Sequence, residues 1–545
     1  MSSLRNRTTP GVYLTELPAF PPSIVGVATA VPIFIGYTDF ARDPVSFKQV
    51  YMQAVELTSM ADYYSYFGYA YDVQYAVTDS TADANFDFEA AKPDGTGVGY
   101  YAVSPTTTGH FNLFTAVKLF YANGGGICYV VSVANYGGQK STAPFTGTPV
   151  SVDKQALLDG LAVAQDKVGP TMVLVPDACL LPYDAAKKVA TDYSEVVCAM
   201  VNQAATLQDR VAILDLPGAT DPSTWTKDGL AAQQDTFYGA IAPASANFSY
   251  GTAYAPALQT NVLSVSDVDY TNLQGTPAAG TNQLEGLLKQ QNADLYTKDS
   301  AKYKQVDTKL TEAFPTTPPA VPLTPAEIQA LDQYLCNALP LLQQVEEILV
   351  HKLNAAPASG PMAGIWTSND ANRGVWNAPA NMSMLSVIAP EVLVTDAEQG
   401  DYNVPLNGNA INILRAFTNR GTVVWGARTL DGNSNDYRYI QVRRTLVYIE
   451  QSIKTALQPF VFAANDGQTW VTVTGMISNF LTGLWTQGGL MGDKASDAFS
   501  VQCGLGSTMT GQDILNGYMV VAVTLQMVHP AEFIELTFTQ KMQGV

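Results

Sequence analysis

Histidine-based chemistry has few places to start in this chain: His110, His351 and His529 are the only imidazoles among 545 residues. His529-Pro-Ala-Glu532 lacks metal-ligand spacing, and its proline argues against a helix that would align the two side chains. No G-x-S-x-G elbow, P-loop or G-x-G-x-x-G following a strand is present. The triple glycine 124–126 precedes an apolar run instead of following one, so it reads as a helix stop and not a phosphate cradle. Asp431, Asn433 and Asn435 alternate as in a calcium loop, but Asp436 stands where that loop needs glycine and Val442 where it needs glutamate. A polar turn is expected there. Glu346 and Glu347 are adjacent on a helical stretch, face different ways, and read as a solvated face. The five cysteines are scattered without a C-x-x-C, the pattern of buried thiols in a reducing compartment. These residues point to no catalytic, cofactor or metal site.

Charge narrows the partners. Lys and Arg total 29 against 48 Asp and Glu, a net charge of -19, which disfavours nucleic acid. Only 14% of residues are charged while 47% are hydrophobic, which suggests surface buried against other subunits, or else an uncharged polar surface. The scarce positive charge gathers between 415 and 454, where Arg415, Arg420, Arg428, Arg438, Arg443, Arg444 and Lys454 face only Asp431, Asp436 and Glu450. An acidic partner would complement this stretch, and pairing with the chain's own carboxylates is the alternative. The start, MSSLRNRTTPG, is no signal peptide, and 24–36 is too short to span a bilayer and contains Pro32. Assembly in cytoplasm without membrane insertion is expected.

The elements that would position such residues follow from periodicity. Residues 10–17 and 24–36 read as extended. Residues 40–110 show no steady period and read as a loop-rich insertion. From 112, three helix-then-strand units (113–133, 155–177 and 184–217) with continuous apolar strands imply a mainly parallel sheet covered on both faces. Residues 262–355 read as a helical insertion broken by prolines at 315–325, after which Thr324, Pro325 and Glu327 cap a new helix. In the last third, Ala410, Leu414 and Phe417 suggest a helix stopped by Gly421, with Arg420 at its end. RGTVVWGARTL (420–430) then reads as a core strand with Trp425 packed, and Arg428 open between an internal ion pair and an interface. A long helix over 442–457, another near 468–486 and alternating strands at 518–528 and 532–540 complete the chain. Terminal strands suit pairing with a neighbour's sheet edge, although pairing within the subunit is the commoner arrangement.

Several ordered stretches resemble the contractile tail sheath proteins of myophages, R-type pyocins and phage-tail-like injection systems. They are TPGVYLTELP with IVGVATAVPIFIGYT, PASGPMAGIWTSNDANRGVWNAPAN (357–381), LNGNAINILRAFTNRGTVVWGARTL (406–430), the 439–470 stretch and HPAEFIELTFTQ (529–540). The likeness is looser over 112–260, where Ala257 stands in place of a frequent Trp, and fails over 40–110 and 262–355. The resemblance implies a mixed α/β chain. Its N- and C-terminal segments build an inner α/β core, and the middle forms an outward-facing α/β domain with two insertions. The corresponding divisions are 1–36 (linker strand and part of the inner domain), 37–111 (loop-rich insertion), 112–260 (outer domain), 261–356 (helical insertion) and 357–545 (inner domain with C-terminal linker strand). It further implies a six-start helical homopolymer around an inner tube, with baseplate and terminal cap proteins, and in some systems a second sheath paralogue. No enzyme activity or cofactor is implied. Val12, Tyr13, Leu14, Phe533, Ile534, Glu535 and Leu536 would exchange strands between subunits. Arg443, Arg444 and Lys454 would touch the tube. A phage-tail-like injection system is the first expectation, a phage tail sheath the second, and an α/β enzyme centred on 112–260 a distant third.

Overall fold

A computed structural model of the chain describes residues 24–82, 86–106, 110–277, 280–315 and 322–535. The backbone forms two compact units. One joins the segment ending at Val27 to Tyr448–His529, and the other comprises Ala28–Val447 with the segment beginning at Pro530.

The larger unit is organised on an eight-stranded sheet. Its order is β14 (Gly421–Val424), β13 (Ile411–Phe417), β9 (Gly251–Ala255), β8 (Val211–Asp215), β7 (Met172–Leu174), β1 (Pro32–Thr38), β6 (Cys128–Asn135) and β2 (Ala54–Leu57). From β13 to β6 every pairing is parallel, and the edge strands β14 and β2 run antiparallel. Strands such as PIFIGYT and VAILD are buried on both faces, which requires uninterrupted apolar side chains. Ile33, Ile35, Val131 and Val173 meet one helical layer, containing α3 (Lys154–Gln165), α4 (Thr191–Leu207) and α5 (Lys227–Ile241). Phe34, Val130 and Leu174 meet the other, containing α2 (Leu113–Ala122) and α10 (Ser359–Arg373). Helices α2 and α10 touch through glycine: a Cβ at Gly360 would lie 2.5 Å from the Cα of Ala116, and one at Gly364 2.5 Å from the carbonyl oxygen of Phe120.

The expected parallel sheet is present, and the family's α/β class with it. Three expectations are corrected. Residues 411–417 form strand β13, not a helix. Buried on both faces over INIL, the strand shows no alternation of sheltered and exposed residues there, and Ala410, Leu414 and Phe417 mimic a helical edge. Gly421, with φ +67°, lies at the β13–β14 hairpin and not at a helix end, so Arg420 caps nothing. The 40–110 region is ordered where described: β2, helix α1 (Met60–Phe67) and the antiparallel strands β3 (Tyr75–Ser80), β4 (Phe88–Ala91) and β5 (Val98–Pro105).

The two insertions share one core. Tyr75, Val77, Phe88 and Val103 of the small sheet pack with leucines of α6 (Leu284–Leu295), α7 (Ala301–Ala313), α8 (Pro325–Ala338) and α9 (Pro340–Leu353). Thr324 and Glu327 form the expected capping box, with Pro325 in the first turn. The division at 357 also moves. β10 (Leu258–Thr260) pairs with β11 (Ala355–Ala356) and β12 (Val387–Pro390), and β13 pairs with β9. Residues 357–447, including α11 (Asp396–Asn403), therefore belong with the large sheet.

In the smaller unit, the end of α12 (Ile440–Leu457) packs with α13 (Gly467–Thr486) through Tyr448 and Phe480. The Val27 amide donates to Ser452 Oγ at 3.1 Å. Strands β15 (Phe499–Gln502) and β16 (Ala522–Leu525) form an antiparallel two-stranded ribbon, with Val501 opposite Val523.

Candidate functional site

The arginines of the 415–454 stretch are largely committed inside the subunit. Asn412 orients the local backbone: its Oδ1 accepts the Arg428 amide at 2.7 Å, and its Nδ2 donates to the Arg428 carbonyl at 2.8 Å. The Arg428 guanidinium then reaches Glu532, with Nε 3.0 Å from Oε1 and Nη2 2.6 Å from Oε2. Asn403 Nδ2 (2.7 Å) and Tyr439 OH (3.0 Å) donate to the same carboxylate. Burial pushes the Glu532 carboxyl up, but the Arg428, Asn403 and Tyr439 donors outweigh it and hold it below the usual range. Arg428 thus makes an internal ion pair. Its partner ties down the stretch 530–535, and the HPAE motif is an anchor for the chain, not a ligand set. Just beyond, Phe533 and Ile534 are 75% and 77% exposed, without regular secondary structure at 531–535. Val12, Tyr13, Leu14 and Leu536 lie outside the described residues.

Arg443 is sandwiched between the rings of Tyr437, at 3.8 Å, and Tyr250, at 4.2 Å, and donates to Ser249 Oγ at 2.8 Å. Arg444 forms a two-pronged pair with Asp370, 2.9 and 2.6 Å, over the Trp366 ring. Both are about 95% buried or more, so neither head group is offered to a partner by this subunit. Lys454, on the far end of α12, is exposed. Trp425, just past the edge strand β14, meets Phe417 with tilted rings and centroids 4.6 Å apart and stays 38% exposed, not packed in a core strand as expected. Sequence reasoning recognised these basic residues. It missed Asp370, Glu532 and Tyr250, whose pairing depends on tertiary contacts.

The carboxyl ends of parallel strands are where α/β folds place catalytic groups, and two buried acids sit there. Asp215, at the end of β8, accepts the amide (2.8 Å) and hydroxyl (2.5 Å) of Ser359 at the start of α10. Asp177, after β7, accepts the amides of Tyr37 (3.0 Å) and Asn112 (2.6 Å), the latter at the start of α2. Burial pushes Asp215 up to about 7 and Asp177 to about 6, against the opposing effect of these donors. Each fastens a helix onto the sheet, a structural use that leaves no oxygen directed at a substrate cleft.

The ribbon β15–β16 is the most incomplete part of the smaller unit. Met519, Val521, Val523, Leu525 and Met527 alternate with more exposed neighbours, as expected for a strand with one sheltered face. Regular pairing is nonetheless confined to Ala522–Leu525, with an isolated bridge from Met527 to Leu490, so the 518–528 strand is shorter than expected. Among the described residues no third strand joins the ribbon. Two strands alone are marginal in water, and their outer edges carry unpaired amides and carbonyls.

A sequence model of the phage tail sheath C-terminal domain matches residues 433–541, which take in this ribbon and the Glu532 anchor. A search of curated protein sequences finds no match. Among solved structures, the chain is similar to the sheath complex of PVC, an extracellular contractile injection system, in its contracted state. The identity is 26%, with 98% of each chain covered and a TM-score of 0.52. The anti-feeding prophage (AFP) helical sheath in contracted state matches at 23% identity over 98% of this chain and 100% of that one, TM-score 0.53. A chain of the AFP baseplate matches at 24%, 98% and 100%, TM-score 0.53. Residues 433–541 thus match the phage tail sheath C-terminal domain, and the chain is similar from end to end to the sheath chain of a contractile injection system.

Proposed function

We propose that the chain is the sheath subunit of a phage-tail-like contractile injection system. It polymerises helically around an inner tube and shortens from a metastable extended lattice to drive that tube through a target envelope. The observation that carries this reading is the alignment of 98% of both chains with an injection-system sheath. The role is structural, with no catalytic step. The open edges of β15–β16 supply acceptors for strands from neighbouring subunits, and the two ends of the chain supply the strands: Val12, Tyr13 and Leu14 at one end, Phe533, Ile534, Glu535 and Leu536 at the other. The exposed apolar side chains of Phe533 and Ile534 suit insertion into such a sheet. Of the three residues expected at the tube, Lys454 keeps an accessible charge, and it is the contact we assign to an acidic tube surface. Baseplate binding, and assembly in the cytoplasm before deployment, complete the reading.

Negative-stain microscopy of purified full-length protein tests it. Tubes or ring-like polymers are expected, and deletion of 533–545 should give folded subunits that do not polymerise. A uniformly monomeric full-length sample at high concentration would refute the sheath reading; normal tubes from the deletion would refute C-terminal strand exchange alone.

A further inference from the structure

Glu346 departs from the sequence reading: it is 1% exposed, inside the helical insertion, and not on a solvated face. It lies on α9 and faces α8, where Asp332 and Cys336 are one turn apart on the same side. Ligand-type atoms of the three side chains all lie within 4.8 Å of one another. Cys336 Sγ donates to Glu346 Oε2 at 3.2 Å, and Asp332 Oδ1 accepts the Tyr270 amide at 2.9 Å. Glu346 Oε1 is buried with no hydrogen-bond partner. Among the described residues no lysine or arginine pairs with either carboxylate. Two carboxyls facing each other beside an apolar wedge of Leu331, Leu335, Leu342 and Val345 need either a shared proton or a cation between them.

We infer that Asp332, Cys336 and Glu346 form a zinc site that staples α8 to α9. Tetrahedral Zn²⁺, with bonds of about 2.0–2.3 Å, needs ligand atoms about 3.3–3.7 Å apart, within reach of small side-chain rotations from the observed cluster. Two carboxylate oxygens and one thiolate select a borderline ion; calcium and magnesium want six or more oxygens and no sulfur. Three protein ligands leave a fourth position for water. Binding releases to solvent the thiol proton and the proton shared by the two carboxyls, and leaves Zn²⁺, two carboxylates and one thiolate with a net charge of −1.

The test uses full-length protein, stripped with a chelator and then titrated with Zn²⁺, and with Co²⁺ as a spectroscopic stand-in. One ion per chain and a thiolate-to-cobalt charge-transfer band are expected. Cys336→Ser should abolish the band, and Glu346→Gln should weaken Zn²⁺ binding by at least about tenfold. Glu346→Gln removes a buried charge without changing shape, so its fold is expected to survive. A wild-type protein that binds no Zn²⁺, with the carboxyls sharing a proton instead, overturns the site. So does binding that both variants retain, which places the ion elsewhere. Neither result bears on polymerisation, so the sheath reading stands or falls separately.

Discussion

Replacing Glu532 by Gln removes one negative charge from the anchor that holds the stretch before the C-terminal segment, while keeping its shape. The Arg428 side chain is 4% exposed and that of Glu532 20% exposed. Breaking a fully buried pair by losing one partner costs about 3–5 kcal/mol. Water reaches the Glu532 side, so about 2–3 kcal/mol is the appropriate figure here, a roughly 30- to 150-fold rise in local opening. A double-mutant cycle isolates the pair: Arg428→Leu, Glu532→Leu and the double variant, each unfolded in urea as disassembled subunits. A coupling of about 2 kcal/mol is expected, because the double variant leaves no unpaired charge behind. Glu532 is held below the ordinary carboxylate range, so its contribution is present above that range and disappears as pH falls through its folded value. The coupling should therefore fade in acid. A coupling under about 0.5 kcal/mol at neutral pH, or one indifferent to acid, refutes the anchor.

Arg444→Ala strands the Asp370 carboxylate, whose side chain is 5% exposed, and should cost about 3–5 kcal/mol in urea unfolding. Lys454→Glu should leave subunit stability within about 0.5 kcal/mol of wild type while weakening co-sedimentation with the tube protein; unchanged co-sedimentation would remove Lys454 from the interface. Asp215 titrates at about 7 when folded, so it favours the folded state below the ordinary carboxylate range and loses that advantage as pH rises through 7. Asp215→Asn should flatten the difference in melting temperature between pH 5 and pH 8, with a ceiling of about 3 kcal/mol on the effect across that interval. An identical pH slope in wild type and variant would contradict it.

The parallel sheet was legible because burial on both faces forces unbroken apolar strands such as PIFIGYT. The same cause hid β13, since the first four residues of INILRAF are all buried, Asn412 included, and no exposed face betrays a period of two. Capping residues read correctly at Thr324 because they act within one turn. Arg444 could be recognised as a scarce cation but not as a buried one, since Asp370 lies 74 residues away. Likewise Glu346 looked solvated because its neighbour on the helix is, while the opposing helix that buries it arrives through a tertiary contact. The likeness to sheath proteins was legible through local motifs; the pairing of charges that decides which arginines stay accessible was not.

The position of β9 bears on how the chain is made. Until β13 arrives, the amides and carbonyls along one edge of β9 have no mate, and Ala253 pairs with Ile411, about 160 residues later. At a ribosomal rate of roughly 5–20 residues per second, the nascent chain carries that bare edge for about 10–30 s. Under the proposed edge-pairing assembly, the nascent chain passes through a stage with a second, unintended edge available. The β13–β14 hairpin closes it, and only then do Asn403 and Arg428 stand ready to receive Glu532. Topology therefore sets the order of events: the β9 edge is covered only after residue 411 and the β13–β14 hairpin have emerged.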